Sequence, residues 1–185
     1  MFLFLIPLLS GFLFNSASAF TGFYSRHLGE RCGRLICIIF RDIVGIPLWV
    51  IGYGMAVLAT STQLFNPNLI SSLVAWLLLL AGGVIIITGL VSIRRRAVAP
   101  SVADTLVTHG IYAHIRHPLY SGMILELVGL FFWVPTLSVT VACLLGLVWV
   151  MIQARLEEMD LLERLPAYKD YMQRVPRFIP KLRLS

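Results

Sequence analysis

The sequence predicts an all-α polytopic membrane bundle of about five transmembrane helices, with a hairpin between the fourth and fifth and a C-terminal cytoplasmic amphipathic helix. Three observations carry that prediction. Hydrophobic residues make up 58% of the 185 residues and charged residues only 13%, at a mean hydropathy of +0.87, which leaves too little polar surface to cover a water-soluble globule. The apolar residues gather into runs near the roughly 20 residues that a helix needs to cross a hydrocarbon layer. The basic residues are confined to alternate connections between those runs.

The runs are Phe2–Phe20, Ile43–Thr60, Leu69–Ile93, Leu119–Val134 and Thr136–Ala154. The first ends in Ala17-Ser18-Ala19, which mimics a signal-peptidase site, but no basic residue precedes it, so a retained helix is expected. The fourth and fifth are separated only by Pro135, which has no N–H to donate and disrupts a continuing helix, so a tight hairpin is expected in place of one long rod. Beyond the fifth run, bases alternate with Tyr168, Tyr171 and Phe178, the pattern of a helix lying in the membrane interface. No repeat or low-complexity segment divides the chain, so residues 1–185 read as one domain.

Charge placement orients the bundle. Arg26, Arg31, Arg34 and Arg41 lie between the first two runs, Arg94, Arg95, Arg96 and Arg116 between the third and fourth, and the rest, from Arg155 to Arg183, after the fifth, which accounts for all 15 Lys and Arg. Bases flanking short spans stay in the cytoplasm, so the N-terminus is expected outside and the C-terminus and any site beside it cytoplasmic. A bacterial inner membrane and the endoplasmic reticulum satisfy this rule equally. The net charge of +6 then reflects orientation and attraction to anionic headgroups of the bilayer, not nucleic-acid binding. Cys32 and Cys37 fall on the reducing side and Cys143 is alone in a run, so neither a disulfide framework nor a metal spacing is present.

Chemistry is concentrated in DTLVTHGIYAHIRHPLYSG, from Asp104 to Gly122, and in Glu157-Glu158 after the fifth run. Arg116, His117, Pro118 and Tyr120 bring a fixed cation, a ring donor, a backbone break and a phenol to the point where the chain enters the membrane, where polar groups are costly without partners or a ligand. Pro118 suits the first turn of a helix, whose positive end favours an anion. His109, His114 and His117 have no cysteine or nearby carboxylate at zinc spacing, so no metal is expected. Taken singly, Arg116 reads equally as a positive-inside anchor, the tyrosines as interfacial belt residues, and the acidic pair as the start of a solvated helix pairing with residues such as Arg164.

Together the segments resemble one family. Thr105 to Gly122 is similar to the pattern TLVTxGxYxxxRHPxYxG of the isoprenylcysteine carboxyl methyltransferase and phospholipid methyltransferase superfamily, and Glu157-Glu158, Leu161, Tyr168, Tyr171 and the ending RVPRFIP resemble its second block. The two blocks cover about the last 80 residues. The resemblance implies an S-adenosyl-L-methionine-dependent methyltransferase acting on a lipidic or prenylated acceptor, with helices in 1–97 and a cofactor-binding catalytic half in 98–185. It places cofactor contacts at Asp104, Thr105, Leu106, Val107, Tyr112, His117, Pro118, Leu119, Tyr120 and Glu157.

The residue chemistry agrees with that implication. Tyr112 and Tyr120 can pack on adenine or face a sulfonium; Arg116 or His117 can meet a carboxylate, and Glu157 or Glu158 an ammonium or ribose hydroxyls. Arg116, Arg155 and Glu126 are the candidate catalytic residues, Glu126 because an intramembrane carboxylate defaults to a functional reading.

The acceptor is less defined. In the isoprenylcysteine branch an arginine four residues before the acidic pair is associated with substrate; here that position is Gln153, and Arg155 points roughly 200° further round a regular helix. Leu165-Pro166-Ala167-Tyr168 also departs from that family's Phe-Gly-x-x-Tyr and is one residue shorter. RVPRFIP and DTLVTHGIY nonetheless stand nearer that branch, so an isoprenylcysteine-methyltransferase-like enzyme is expected, with phospholipid N-methylation and thiol S-methylation as alternatives. Two other classes compete: an NADPH-dependent membrane sterol reductase, which would carry an asparagine-bearing variant across Arg116–Tyr120, and a non-catalytic membrane binding protein.

Overall fold

The first apolar run does not stay straight. In a computed structural model, which describes residues 2–93 and 105–181, it forms α1, Leu5–Ala17, and then turns by 62° into α2, Thr21–Leu28. The predicted helix Phe2–Phe20 is thus shorter, because the polar face of α2 is drawn sideways: Gly22 N donates to Asp160 Oδ1 at 2.8 Å, far along the chain. Gly29, at a φ of +83° that costs glycine nothing, reverses the chain into α3, Glu30–Ile38.

The second span also departs from expectation. From α3 the helix continues through a π-helical segment, Ile39–Gly45, into α4, Ile46–Leu58, making one rod from Glu30 to Leu58 where Ile43–Thr60 was predicted. The charges that hid this extension from hydropathy are paired: Arg34 with Glu30 one turn away at 3.4 Å, and Arg41 with Asp42 at 2.8 Å.

α5 spans Leu69–Ile93, as its unbroken apolar run predicts. Asn68 caps it, its Oδ1 accepting from Ser71 N at 2.9 Å. α6 is Pro118–Trp133, with the proline at its first position, and packs along α5. There Gly82 and Gly122 let the backbones touch: a Cβ on Gly122 would lie 2.6 Å from the Gly82 carbonyl oxygen. After Val134, Pro135 and Thr136, α7 runs from Leu137 to Arg164, beyond the predicted end at Ala154, and α8 is short, Tyr168–Arg174.

Among the described residues, three helices are long and apolar enough to cross a membrane, or four if the bent pair counts as one. α6, from the fourth of the five predicted runs, is a shorter apolar helix. Its 16 residues reach about 24 Å, against roughly 30 Å of hydrocarbon. The described chain is a multi-pass helical membrane protein with polar connections at two ends. At one, the 59–68 loop is tied to the α6–α7 connection by Leu64 N to Pro135 O and Leu137 N to Thr62 O, both 2.8 Å. The other gathers the α1–α2 bend, the end of α5, the start of α6 and the end of α7. Phe12 stacked on Trp149 at 4.6 Å packs the core between them.

Candidate functional site

A cavity of about 440 Å³ opens at this second end. One wall is the segment entering α6. Thr105, Leu106 and Val107 lead to a 3-10 turn, Gly110–Ala113, in which the Tyr112 carbonyl accepts from the Tyr171 hydroxyl at 2.6 Å. Arg116 and His117 follow, held by the chain beyond α8: Arg116 N donates to Pro176 O at 2.9 Å and His117 N to Arg177 O at 3.0 Å. Leu119 and Tyr120 continue that wall from the first turn of α6.

The end of α7 closes the cavity, and its two neighbouring glutamates differ. Glu157 faces the cavity with 35% of its side chain exposed; it accepts from the Tyr120 hydroxyl and from Gln153 Nε2 at 3.3 Å. Glu158 is wholly buried behind the wall. It accepts from Arg177 Nε at 3.0 Å and from Arg177 Nη2, and lies 3.2 Å from His117 Nε2 and 3.1 Å from Arg116 Nη1. Arg116 is itself only 9% exposed, and its Nε and Nη1 have no hydrogen-bond acceptor among the described residues.

Burial and the Glu157 charge raise the Tyr112 phenol well above its ordinary range, and burial pushes Tyr171 up to about 12. Both therefore stay neutral at any physiological pH.

The opposite wall comes from the N-terminal helices, where sequence showed only apolar spans. Asn15, Thr21, Cys37, Arg41, Asp42 and Trp49 all line the cavity, with Thr21 Oγ1 3.6 Å from Cys37 Sγ. The π-helical segment supplies Arg41 and Asp42; such insertions shift the helical register and recur at functional sites. The signal available in sequence was an adjacent pair of opposite charges at the mouth of an apolar run. Arg177 had a weaker one, its place inside RVPRFIP.

Nine of the predicted site residues therefore meet at one cavity: Thr105, Leu106, Val107, Tyr112, Arg116, His117, Leu119, Tyr120 and Glu157. Pro118 and Glu158 do not line it; both are fully buried behind it. Asp104 lies outside the described residues, as do Arg94, Arg95, Arg96 and Arg183. Two candidates stand apart from the cavity. Arg155 is exposed on α7 and away from the cavity, as its angular offset from Gln153 dictates. Glu126 is turned toward α5, so close that a Cβ on Gly82 would meet its Cγ at 2.8 Å, and it does not line the cavity either. Among the described residues no three His, Cys, Asp or Glu side chains are grouped as a metal site.

Comparison with known proteins adds a family and two relatives. The profile described as phospholipid methyltransferase matches residues 70–168, from the start of α5 to the start of α8. The nickel-cobalt-cadmium resistance protein NccN of Alcaligenes xylosoxydans xylosoxydans is 38% identical over 82 residues, covering 43% of this chain and 38% of that protein. The cobalt-zinc-cadmium resistance protein CzcN of Cupriavidus metallidurans is 37% identical over 83 residues, covering 44% and 38%. The match thus spans less than two fifths of either relative's length. No solved structure matches the chain significantly.

Proposed function

Because this chain belongs to the phospholipid methyltransferase family, matched over more than half its length, we propose that it is an S-adenosylmethionine-dependent methyltransferase of the membrane. On this reading it resembles the isoprenylcysteine carboxyl methyltransferases and acts on a lipidic acceptor at the cytoplasmic face. The observation that carries the proposal is the meeting of both sequence blocks at one cavity, with Arg116 and Glu157 on its wall.

The donor set fits the cofactor's zwitterionic end. Arg116 offers buried N–H groups to a carboxylate, and Glu157 offers a partly exposed carboxylate, hydrogen-bonded by Tyr120 and Gln153, to an ammonium. Tyr112 and Tyr120 supply aromatic faces for an adenine or a cationic sulfur. A volume of about 440 Å³ lies within the roughly 300–1,000 Å³ of small-molecule sites. Bound there, S-adenosylmethionine would supply an activated methyl group for in-line displacement. The protein's part is to fix the approach and exclude water, for which an apolar wall of Leu106, Leu119 and the buried Trp149 is suited.

The acceptor enters beside the N-terminal helices. The cation there, Arg41, is held by Asp42 at 2.8 Å, and the family's substrate arginine is replaced by Gln153. That arrangement favours, as a second reading, a neutral amine or thiol over a carboxylate, since an anion gains most from a cation not already paired. The concentration of bases on alternate connections supports a cytosol-facing site.

Incubating membranes with methyl-labelled donor and following the label tests the proposal. Label in a base-labile ester supports the carboxylate acceptor; label in phospholipid or thioether supports the second reading. Protein in detergent that binds NADPH but not micromolar S-adenosylmethionine refutes both.

A further inference from the structure

Glu158 has one more arginine beside it than it hydrogen-bonds. Its two oxygens are taken by Arg177, Nε to Oε1 at 3.0 Å and Nη2 to Oε2, and Oε1 also lies 3.2 Å from His117 Nε2. Arg116 reaches the same Oε1 at 3.1 Å, but without the alignment of a hydrogen bond, and its Nε and Nη1 remain buried without an acceptor among the described residues. The Arg177 fork and the His117 contact together occupy about three of the roughly four acceptor positions of the carboxylate, and Arg116 is aligned with none. The surplus charge of this buried cluster therefore resides on Arg116, which is the member that lines the cavity.

Arg177 comes from outside the cavity wall. It belongs to the chain after α8, which crosses the start of α6 through Arg116 N to Pro176 O at 2.9 Å, His117 N to Arg177 O at 3.0 Å and Ser121 Oγ to Phe178 O at 2.8 Å. Three successive attachments fix Arg177 beside Glu158.

We propose that Arg177 is a positioning residue: by occupying both oxygens of Glu158 it keeps the Arg116 guanidinium available to an anionic ligand in the cavity. The inference rests on the cofactor reading above, in which that anion is the methionine carboxylate. Without Arg177, Oε2 is vacated, and Arg116, already beside Oε1, is drawn onto Glu158 as a bidentate pair. The ligand then loses its cation although no residue touching it has changed.

The test uses the full chain in detergent and calorimetric titration with S-adenosylmethionine and with its decarboxylated analogue. The wild-type protein is expected to prefer the carboxylate-bearing ligand by about tenfold or more, the size of one charge-assisted hydrogen bond. Arg177→Ala should reduce that preference below about threefold while changing affinity for the decarboxylated ligand little. Adding Glu158→Gln to Arg177→Ala removes the charge that captures Arg116 and should restore the preference. Equal losses for both ligands in Arg177→Ala, as a merely structural clamp would give, overturn the inference, as does a double variant no better than the single. Should Arg177→Ala fail to fold, Arg177→Lys, which cannot present the fork, is expected to lower the preference, and an unchanged preference in that variant overturns the inference. Wild-type protein that binds neither ligand refutes the methyltransferase reading itself, a result distinct from a wild type that discriminates beside a variant that still does.

Discussion

Glu157 and Glu158 are adjacent and chemically identical, yet their surroundings assign them opposite sensitivities. Glu158→Ala removes a fully buried carboxylate from between Arg116, Arg177 and His117. Each hydrogen bond to a charged group contributes about 1.5–3 kcal/mol, but the bonds share one acceptor and do not add. The applicable scale is that of a buried ion pair losing one partner, about 3–5 kcal/mol, because two arginines are left without their counter-charge. At roughly 2–4 °C per kcal/mol for a chain of this length, the unfolding midpoint should fall by about 6–20 °C. Glu157→Ala removes a carboxylate that is 35% exposed and bonded to Tyr120 and Gln153. Screening limits its cost to about 1 kcal/mol, or under about 4 °C. Binding should show the reverse order, with Glu157→Ala losing about 100-fold in S-adenosylmethionine affinity through the lost ammonium partner. Thermal unfolding in detergent, followed by tryptophan fluorescence, and calorimetry on the same preparations measure both. A Glu158→Ala midpoint within about 2 °C of wild type, or a lower midpoint for Glu157→Ala, refutes the reasoning.

Other consequences are simpler to check. Arg155→Ala and Glu126→Gln should leave labelled-methyl transfer within about twofold of wild type, since neither side chain lines the cavity; a loss near tenfold in either places that residue in the chemistry. Gly122→Val should lower the unfolding midpoint and weaken cofactor binding together, because a Cβ there would stand 2.6 Å from the Gly82 carbonyl oxygen and force α5 off α6; unchanged thermal unfolding contradicts the close approach. The Tyr171 phenol is pushed up from its ordinary 10 to about 12 by burial, so the fold holds a proton there that the unfolded chain releases. Stability from this group is complete below pH 10 and lost as pH rises toward 12; alkaline unfolding monitored by circular dichroism should begin in that window and be less steep in Tyr171→Phe.

What the sequence made legible, and what it hid, follows from where each signal lies. Leu69–Ile93 was readable to the residue because no charged residue interrupts it and Asn68 caps it. The rod Glu30–Leu58 was not, because Arg31, Arg34, Arg41 and Asp42 lower its hydropathy, and their helical state depends on local pairing and on α2 packed alongside. α7 outran its predicted end for the same reason: the acids resemble the start of an exposed tail, but Glu157 is held by Tyr120 and Gln153, Glu158 by Arg177, and Asp160 by Arg164 and Gly22 N. That the segment entering α6 lines one cavity with Glu157 was legible since its residues are contiguous and patterned. Arg155 stands away from the cavity, as its offset of roughly 200° from Gln153 along a regular helix implies.

The wall from the N-terminal helices belongs to a different kind of information. Asn15, Cys37, Arg41 and Trp49 are single residues scattered over α1, α3, the π-helical segment and α4. They converge only because Gly11 and Gly52 seat α1 against α4, with a Cβ on Gly52 within 2.6 Å of Leu8. These residues also lie outside the matched segment, 70–168. The two halves therefore carry separable tasks on the proposed reading: α5 to α8 hold the methyl donor, and the N-terminal helices shape what it meets. Gln153 joins them, since its amide donates both to Asn15 O at 3.5 Å on one wall and to Glu157 at 3.3 Å on the other. An arginine at that buried position would be drawn to Glu157 and compete for the carboxylate assigned to the cofactor's ammonium. A neutral amide spares that carboxylate, at the cost of the cation that would steer an anionic acceptor, so the same substitution bears on donor binding and acceptor choice together.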